Sequence, residues 1–146
     1  MRIYLACTVR GDRGTLEAAR RINQRLVEAG HEVLTSHLLR DDVETVENGV
    51  TDEHVFSRDL AWLTSADAVV AEASGSSYGV GFEVGYVLGG AARTGQRAYI
   101  LYRADRRGAV SRLISGLSHD HAELLAYRDL AEIDQFLASR LGPLAV

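Results

Sequence analysis

Two carboxylates stand where carboxylates are costly. Glu83 falls on an apolar helical stripe with Val80, Val84, Val87 and Leu88, and Asp59 falls on another with Val55, Phe56, Trp62 and Leu63. An acid on a core-facing stripe costs free energy unless something compensates it. Each has a bland reading. Glu83 could complement a helix dipole from the first turn or close a capping arrangement. Asp59 could simply pair with Arg58 or with an arginine elsewhere. The functional reading is a pair of acids suited to glycosidic-bond cleavage. One stabilises or attacks an anomeric carbon, and the other handles a proton or orients the leaving group.

The stretch around Glu83 supports the functional reading. Residues 73–85 read Ala-Ser-Gly-Ser-Ser-Tyr-Gly-Val-Gly-Phe-Glu-Val-Gly. They follow a continuous apolar run and precede helical spacing, so they form a small-residue loop that feeds a helix beginning near Gly79 or Val80. Ser74, Ser76 and Ser77 offer hydroxyls, while Gly79 and Gly81 let backbone amides approach a ligand. The unpartnered N–H groups and positive dipole end of such a helix favour an anion.

The remaining elements must position this loop. Residues 3–7 read as a strand covered on both faces, and residues 8–14 as a polar, glycine-bearing turn. Thr15 is a candidate N-cap for a helix to about Ala29, stopped by Gly30. Residues 31–35 form a short second strand. Residues 36–50 form a long polar connection, expected as a flap with room for a short helix. Thr51 caps a helix over 52–65, and residues 67–72 form the third strand. Residues 98–102 are the fourth strand, 103–108 a basic turn, 109–117 a short helix, 124–127 a weak fifth strand and 130–141 a closing amphipathic helix.

Alternating strands and helices imply a parallel sheet covered on both sides. The fold class is therefore α/β, a single domain over residues 1–146 with a flavodoxin- or Rossmann-like three-layer sandwich and strand order 2-1-3-4-5. Ligands bind such sheets at the carboxyl ends of the strands beside the switch point, here between strands one and three. The loops there are 8–14 and 73–79, so Arg10, several hydroxyls and the two acids converge on one cleft.

Composition excludes other classes. The chain has 146 residues, is 47% hydrophobic and carries a formal net charge of −4, so it is an ordered globular domain without a basic surface for nucleic acid. One cysteine, Cys7, leaves no intramolecular disulfide and no cysteine-rich zinc site. The apolar start is too short for a signal peptide, and no stretch approaches the roughly 20 apolar residues of a membrane span. A cytoplasmic protein is expected. Gly-x-x-x-x-Gly-Lys-Ser/Thr is missing, and Gly79-x-Gly81-x-x-x-Gly85 has one residue too many for a dinucleotide fingerprint. The five histidines show no metal spacing, so neither metal nor organic cofactor is expected.

The chain also resembles the nucleoside 2-deoxyribosyltransferase superfamily, and most closely its 2'-deoxynucleoside 5'-monophosphate N-glycosidase branch. The resemblance is carried by Tyr4-Leu-Ala-Cys-Thr-Val-Arg-Gly11, Val33-Leu-Thr-Ser-His37, Asp59-Leu-Ala-Trp-Leu63, Ala66-Asp-Ala-Val-Val-Ala-Glu72, Ser77-Tyr-Gly-Val-Gly-Phe-Glu-Val-Gly85 and Ser111-Arg-Leu-Ile-Ser-Gly116. It implies that Glu83 attacks or stabilises C1' of the deoxyribose and that Asp59 assists departure of the base. The helix N-terminus is expected to help keep Glu83 ionised. It further implies that Thr8, Arg10, Ser77 and Ser111 hold the 5'-phosphate, with Gly11 and Gly79 in the same loops and Tyr4 and His37 near the nucleoside. In such dimers the serine matching Ser111 comes from the neighbouring subunit, so a homodimer with shared sites is implied. Neutral Ser77, where nucleoside-using relatives carry an acid, favours a phosphorylated substrate and hydrolysis. The alternatives are a deoxyribosyltransferase, a ribonucleotide N-glycosidase and a non-catalytic nucleotide sensor. Neither nucleic acid nor membrane is an expected partner.

Overall fold

The computed structural model describes residues 1–10 and 14–143. Five parallel strands form one sheet in the order β2-β1-β3-β4-β5: β1 (Arg2–Ala6), β2 (Glu32–Val33), β3 (Ala68–Glu72), β4 (Arg97–Arg103) and β5 (Ala122–Tyr127). The expected order is therefore realised. The helices are α1 (Leu16–Glu28), α2 (Val43–Glu47), α3 (Asp52–Ser65), α4 (Tyr78–Thr94), α5 (Arg112–Ser115) and α6 (Leu130–Leu141).

The central strands β1 and β3 are apolar on both faces, and both faces are covered. On β1, Ile3 and Leu5 enter a core with Ile22 and Leu26 of α1 and Ile133 and Leu137 of α6. Tyr4 and Ala6 enter the opposite core with Leu63 of α3 and Val80, Val84 and Val87 of α4. Each large side chain so buried stabilises the fold by roughly 1.5–3 kcal/mol. A charged clamp ties the first core at its edge. Asp134 of α6 accepts from both Arg21 and Arg25 of α1 at 2.6–2.9 Å. Those hydrogen bonds, Arg25's first, hold its carboxyl below the usual range.

β2 is shorter than the expected strand over 31–35. The Thr35 hydroxyl donates to Leu5 O at 2.7 Å and accepts from Leu5 N at 3.0 Å, replacing the next backbone pair of the ladder. The 36–50 connection is folded, with a 3-10 turn at Ser36–Leu39 and then α2. Leu38, Leu39 and Val43 are buried, and they anchor it. Phe56, expected to face inward, is instead 56% exposed. The helix stripe turns inward at Leu63, while Phe56 lies on its solvent flank against Phe82 of α4, ring centres 6.5 Å apart.

Two caps set the ends of the helix that carries Glu83. The Ser77 hydroxyl accepts from Val80 N at 3.2 Å, so α4 begins at Tyr78. Gly95 ends it in the left-handed region at φ 74°, where its N–H reaches Ala91 O. Among the described residues, no helix is long and apolar enough to cross a membrane.

Candidate active site

A cleft of about 640 Å³ opens at the carboxyl ends of β1 and β3, within the usual size range of small-molecule sites. Its walls include Arg10 from the loop after β1, Glu47 of α2, Asp59 of α3, and Ser77, Gly79 and Glu83 at the start of α4. A smaller adjoining pocket of about 160 Å³ is lined by Tyr4, Asp59, Gly79 and Glu83. The two acids singled out by pattern thus share one site.

Glu83 sits in the second turn of α4, directed at β1. The Tyr4 hydroxyl donates to Glu83 Oε1 at 2.5 Å. Burial pushes the carboxyl up to about 7; the Tyr4 hydrogen bond works against this, and the nearby charge of Asp59 adds to it. Desolvation thus lifts Glu83 above the ordinary carboxylate range. Tyr4 is a buried strand aromatic and also Glu83's donor. Burial and then the charge of Glu83 raise its phenol far above the ordinary value, so the hydroxyl remains a donor.

Asp59 is both paired with a cation and placed at the cleft. Its Oδ1 accepts from Arg58 Nε at 2.8 Å, the pairing expected of a merely structural acid. It also lines the cleft beside Glu83. Arg58 in turn makes a two-pronged pair with buried Glu47, both contacts at 3.0 Å. Burial alone would raise the Glu47 carboxyl, but the hydrogen bonds and charge of Arg58, helped by His37, bring it below its ordinary value. His37 does not line the cleft directly. Its Nε2 lies 3.3 Å from Glu47 Oε1, and its ring meets the edge of Trp62 at 5.4 Å.

The expected phosphate-holding residues divide into three groups. Arg10 and Ser77 face the cleft, Arg10 donating to Asn48 Oδ1 at 2.9 Å and Ser77 capping α4. Thr8 is buried and does not line the cleft, and its hydroxyl has no hydrogen-bond partner among the described residues. Ser111 lies apart, capping α5 in a separate hollow of about 590 Å³ that shares only Ser76, Ser77, Tyr78 and Val80 with the cleft. Gly11 falls outside the described residues.

One functional-looking acid escaped the sequence reading. Glu72, at the end of β3, is 1% exposed. It accepts from Thr15 Oγ1 at 2.6 Å, Tyr127 OH at 2.9 Å, Ser74 N at 3.3 Å and the Ser74 hydroxyl. The Ser74 oxygen also accepts from Arg103 N at 2.7 Å. Directly and through Ser74, Glu72 joins the start of α1, β4, β5 and the loop before α4. The available signal was an acid closing an otherwise apolar, doubly covered strand. Glu47 was missed for a different reason, since it stands in a polar connection where acids are ordinary.

The sequence profile of the family described as Nucleoside 2-deoxyribosyltransferase matches residues 3–126. A protein of Thermofilum pendens, provisionally named 2'-deoxynucleoside 5'-phosphate N-hydrolase 1, is 41% identical over 141 residues, 97% of this chain and 95% of its own. The 5-hydroxymethyl-dUMP N-hydrolase of Danio rerio is 34% identical over 119 residues, 81% of this chain and 80% of its own. Among solved structures, the CMP N-glycosidase BcmB of Clostridium botulinum shares the fold, with a TM-score of 0.64 at 20% identity over 95% of this chain and 98% of that one. The chain belongs to the nucleoside 2-deoxyribosyltransferase family.

Proposed function

We propose that this protein is an N-glycosidase that hydrolyses 2'-deoxynucleoside 5'-monophosphates to free base and 2-deoxyribose 5-phosphate. The observation that carries the reading is Glu83: a desolvated carboxylate, held by one phenolic donor beside a second acid, in a cleft that Arg10 and the N-terminus of α4 also line. The names of the relatives from Thermofilum pendens and Danio rerio support hydrolysis of a nucleotide's N-glycosidic bond.

In this mechanism the 5'-phosphate docks at Arg10, Ser77, Gly79 and the loop bearing Thr8 and Gly11. That remote binding holds C1' against Glu83. The C1'–N bond breaks with its electron pair leaving on the base, and Asp59 assists the base as it departs. The ionised carboxylate of Glu83 attacks or stabilises the cationic C1'. Water then attacks C1', displacing the Glu83 carboxylate where it has bonded; the water's proton ends on the departed base by way of Asp59, and the sugar phosphate is released. His37, behind Glu47, acts near the nucleoside. No metal or organic cofactor enters the scheme.

A homodimer completes the site in this reading. Phe56, Phe82 and Tyr86 form an exposed ring cluster on α3 and α4, with Tyr78 and Leu113 exposed nearby. Contiguous apolar surface of this kind suits a second copy of the chain. Ser111, outside its own cleft, would then serve the neighbour's phosphate.

The test is product analysis. Purified protein is incubated with deoxynucleoside and ribonucleoside 5'-monophosphates and the matching nucleosides, with and without an added second base. Release of base and sugar phosphate from deoxynucleotides alone is expected. A new nucleoside made from the added base would assign transfer instead, and nucleotide binding without base release would overturn catalysis. Ser77→Asp is expected to weaken nucleotide use at least about tenfold more than nucleoside use, because a carboxylate there repels the phosphate. Equal losses on both would contradict the phosphate role.

A further inference from the structure

The acid assigned to the departing base is not held by its own helix alone. Arg58 commits three guanidinium nitrogens, Nε to Asp59 Oδ1 and the two Nη atoms to Glu47 Oε1 and Oε2. Its guanidinium also lies over the Trp62 ring, 5.0 Å from the centre. Glu47 comes from α2, within the 36–50 connection, and lines the cleft, whereas Arg58 stands behind it. The plane and rotation of Arg58 are therefore fixed from two sides, by α2 and by Trp62. Without that cation, Asp59, Glu47 and Glu83 would face one another as acids.

Resting on the N-hydrolase reading above, we propose that Arg58 is a positioning residue for the base end of the reaction. Anchored by Glu47, it fixes the Asp59 carboxylate with one oxygen engaged and the other left for the nucleobase. Seating of the 36–50 connection thus becomes part of base recognition. A planar fork is required, because lysine presents one point of charge and cannot serve both acceptors in fixed geometry. Arg58 acts through Asp59 and contacts no reacting atom.

The test measures kcat and KM on a deoxynucleoside 5'-monophosphate. It also measures calorimetric affinity for that nucleotide and for 2-deoxyribose 5-phosphate, which lacks the base. Wild type, Arg58→Gln, Asp59→Asn, the Arg58→Gln/Asp59→Asn double variant and Glu47→Gln/Arg58→Gln are compared. The last keeps a neutral hydrogen-bonding pair in place of the buried charges and so guards against misfolding. Arg58→Gln and Glu47→Gln/Arg58→Gln are each expected to lower kcat about 10²-fold, the scale of a misplaced catalytic group. Affinity for the base-less sugar phosphate stays unchanged. In the Asp59→Asn background, Arg58→Gln costs no more than about twofold further, since coupled residues are not additive. Retained kcat in both Arg58 variants, full additivity with Asp59→Asn, or an equal loss of sugar-phosphate affinity would overturn the proposal while leaving the hydrolase reading intact. Wild type that binds the nucleotide and releases no base would overturn the hydrolase reading, and this proposal with it.

Discussion

Glu72, buried, and Glu83, part-buried, are both acids at the carboxyl end of the sheet, yet their surroundings differ sharply. Glu72 accepts from three side-chain hydroxyls and one backbone N–H, drawn from three different segments. Glu83 accepts from Tyr4 and has Asp59 as its charged neighbour. A buried acid surrounded by donors is a brace, because each donor offsets part of the lost hydration. A desolvated acid with one donor retains capacity to receive something else. The difference teaches that burial alone does not single out a candidate reactive group; desolvation with few partners does.

This contrast can be broken most severely at Glu83 itself. Glu83→Ala is expected to reduce base release by at least about 10³-fold with the fold preserved, the scale seen when a nucleophile is removed. Steady-state rates together with a circular dichroism spectrum decide this. Normal turnover in that variant would refute the assignment. Glu72→Ala should do the reverse and act first on stability. It strands the hydroxyls of Thr15, Ser74 and Tyr127, and a loss of about 3 kcal/mol or more in urea unfolding is expected. An unchanged midpoint would mean that the network is not a brace.

Tyr4→Phe is the mildest of these changes and the most informative about pH. The Tyr4 hydrogen bond favours ionised Glu83, so its loss moves that carboxyl further above about 7. If ionised Glu83 is the working form, the acidic limb of the kcat/KM–pH profile shifts upward by about one unit. A shift downward, or none, would contradict the role given to Tyr4.

The fold was largely legible in the sequence because apolar runs, caps and glycine stops marked each element independently. A continuous apolar run such as Ala68–Ala71 needs both faces covered, and helices supply that cover; the strand order then follows from crossover rules. Where the reading slipped, a side chain had replaced backbone or an expected contact was absent. Thr35 took over the ladder that would have extended β2. Phe56 fitted the apolar stripe by type, yet its position on the helix faces outward. At the site, Asp59 and Glu83 were visible as acids on apolar stripes. Arg58 and Glu47 were not, because an arginine beside an aspartate and a glutamate in a polar stretch look ordinary until the fold brings α2 against α3. The desolvation that raises the Glu83 carboxyl is likewise a property of packing that spacing does not reveal.

The most direct test measures activity and stability of Glu83→Gln together across pH. The unfolded chain loses the Glu83 proton near 4.5 and the folded chain near about 7. Stability from this group is therefore complete below 4.5, falls as pH rises through that window, and is lowered by about 3 kcal/mol above it. Glutamine carries no such charge. Glu83→Gln is therefore expected to be inactive and more stable than wild type at pH 8, with the stability difference vanishing at pH 4. A variant that keeps its activity, or that loses stability along with activity at pH 8, would contradict the role assigned to Glu83.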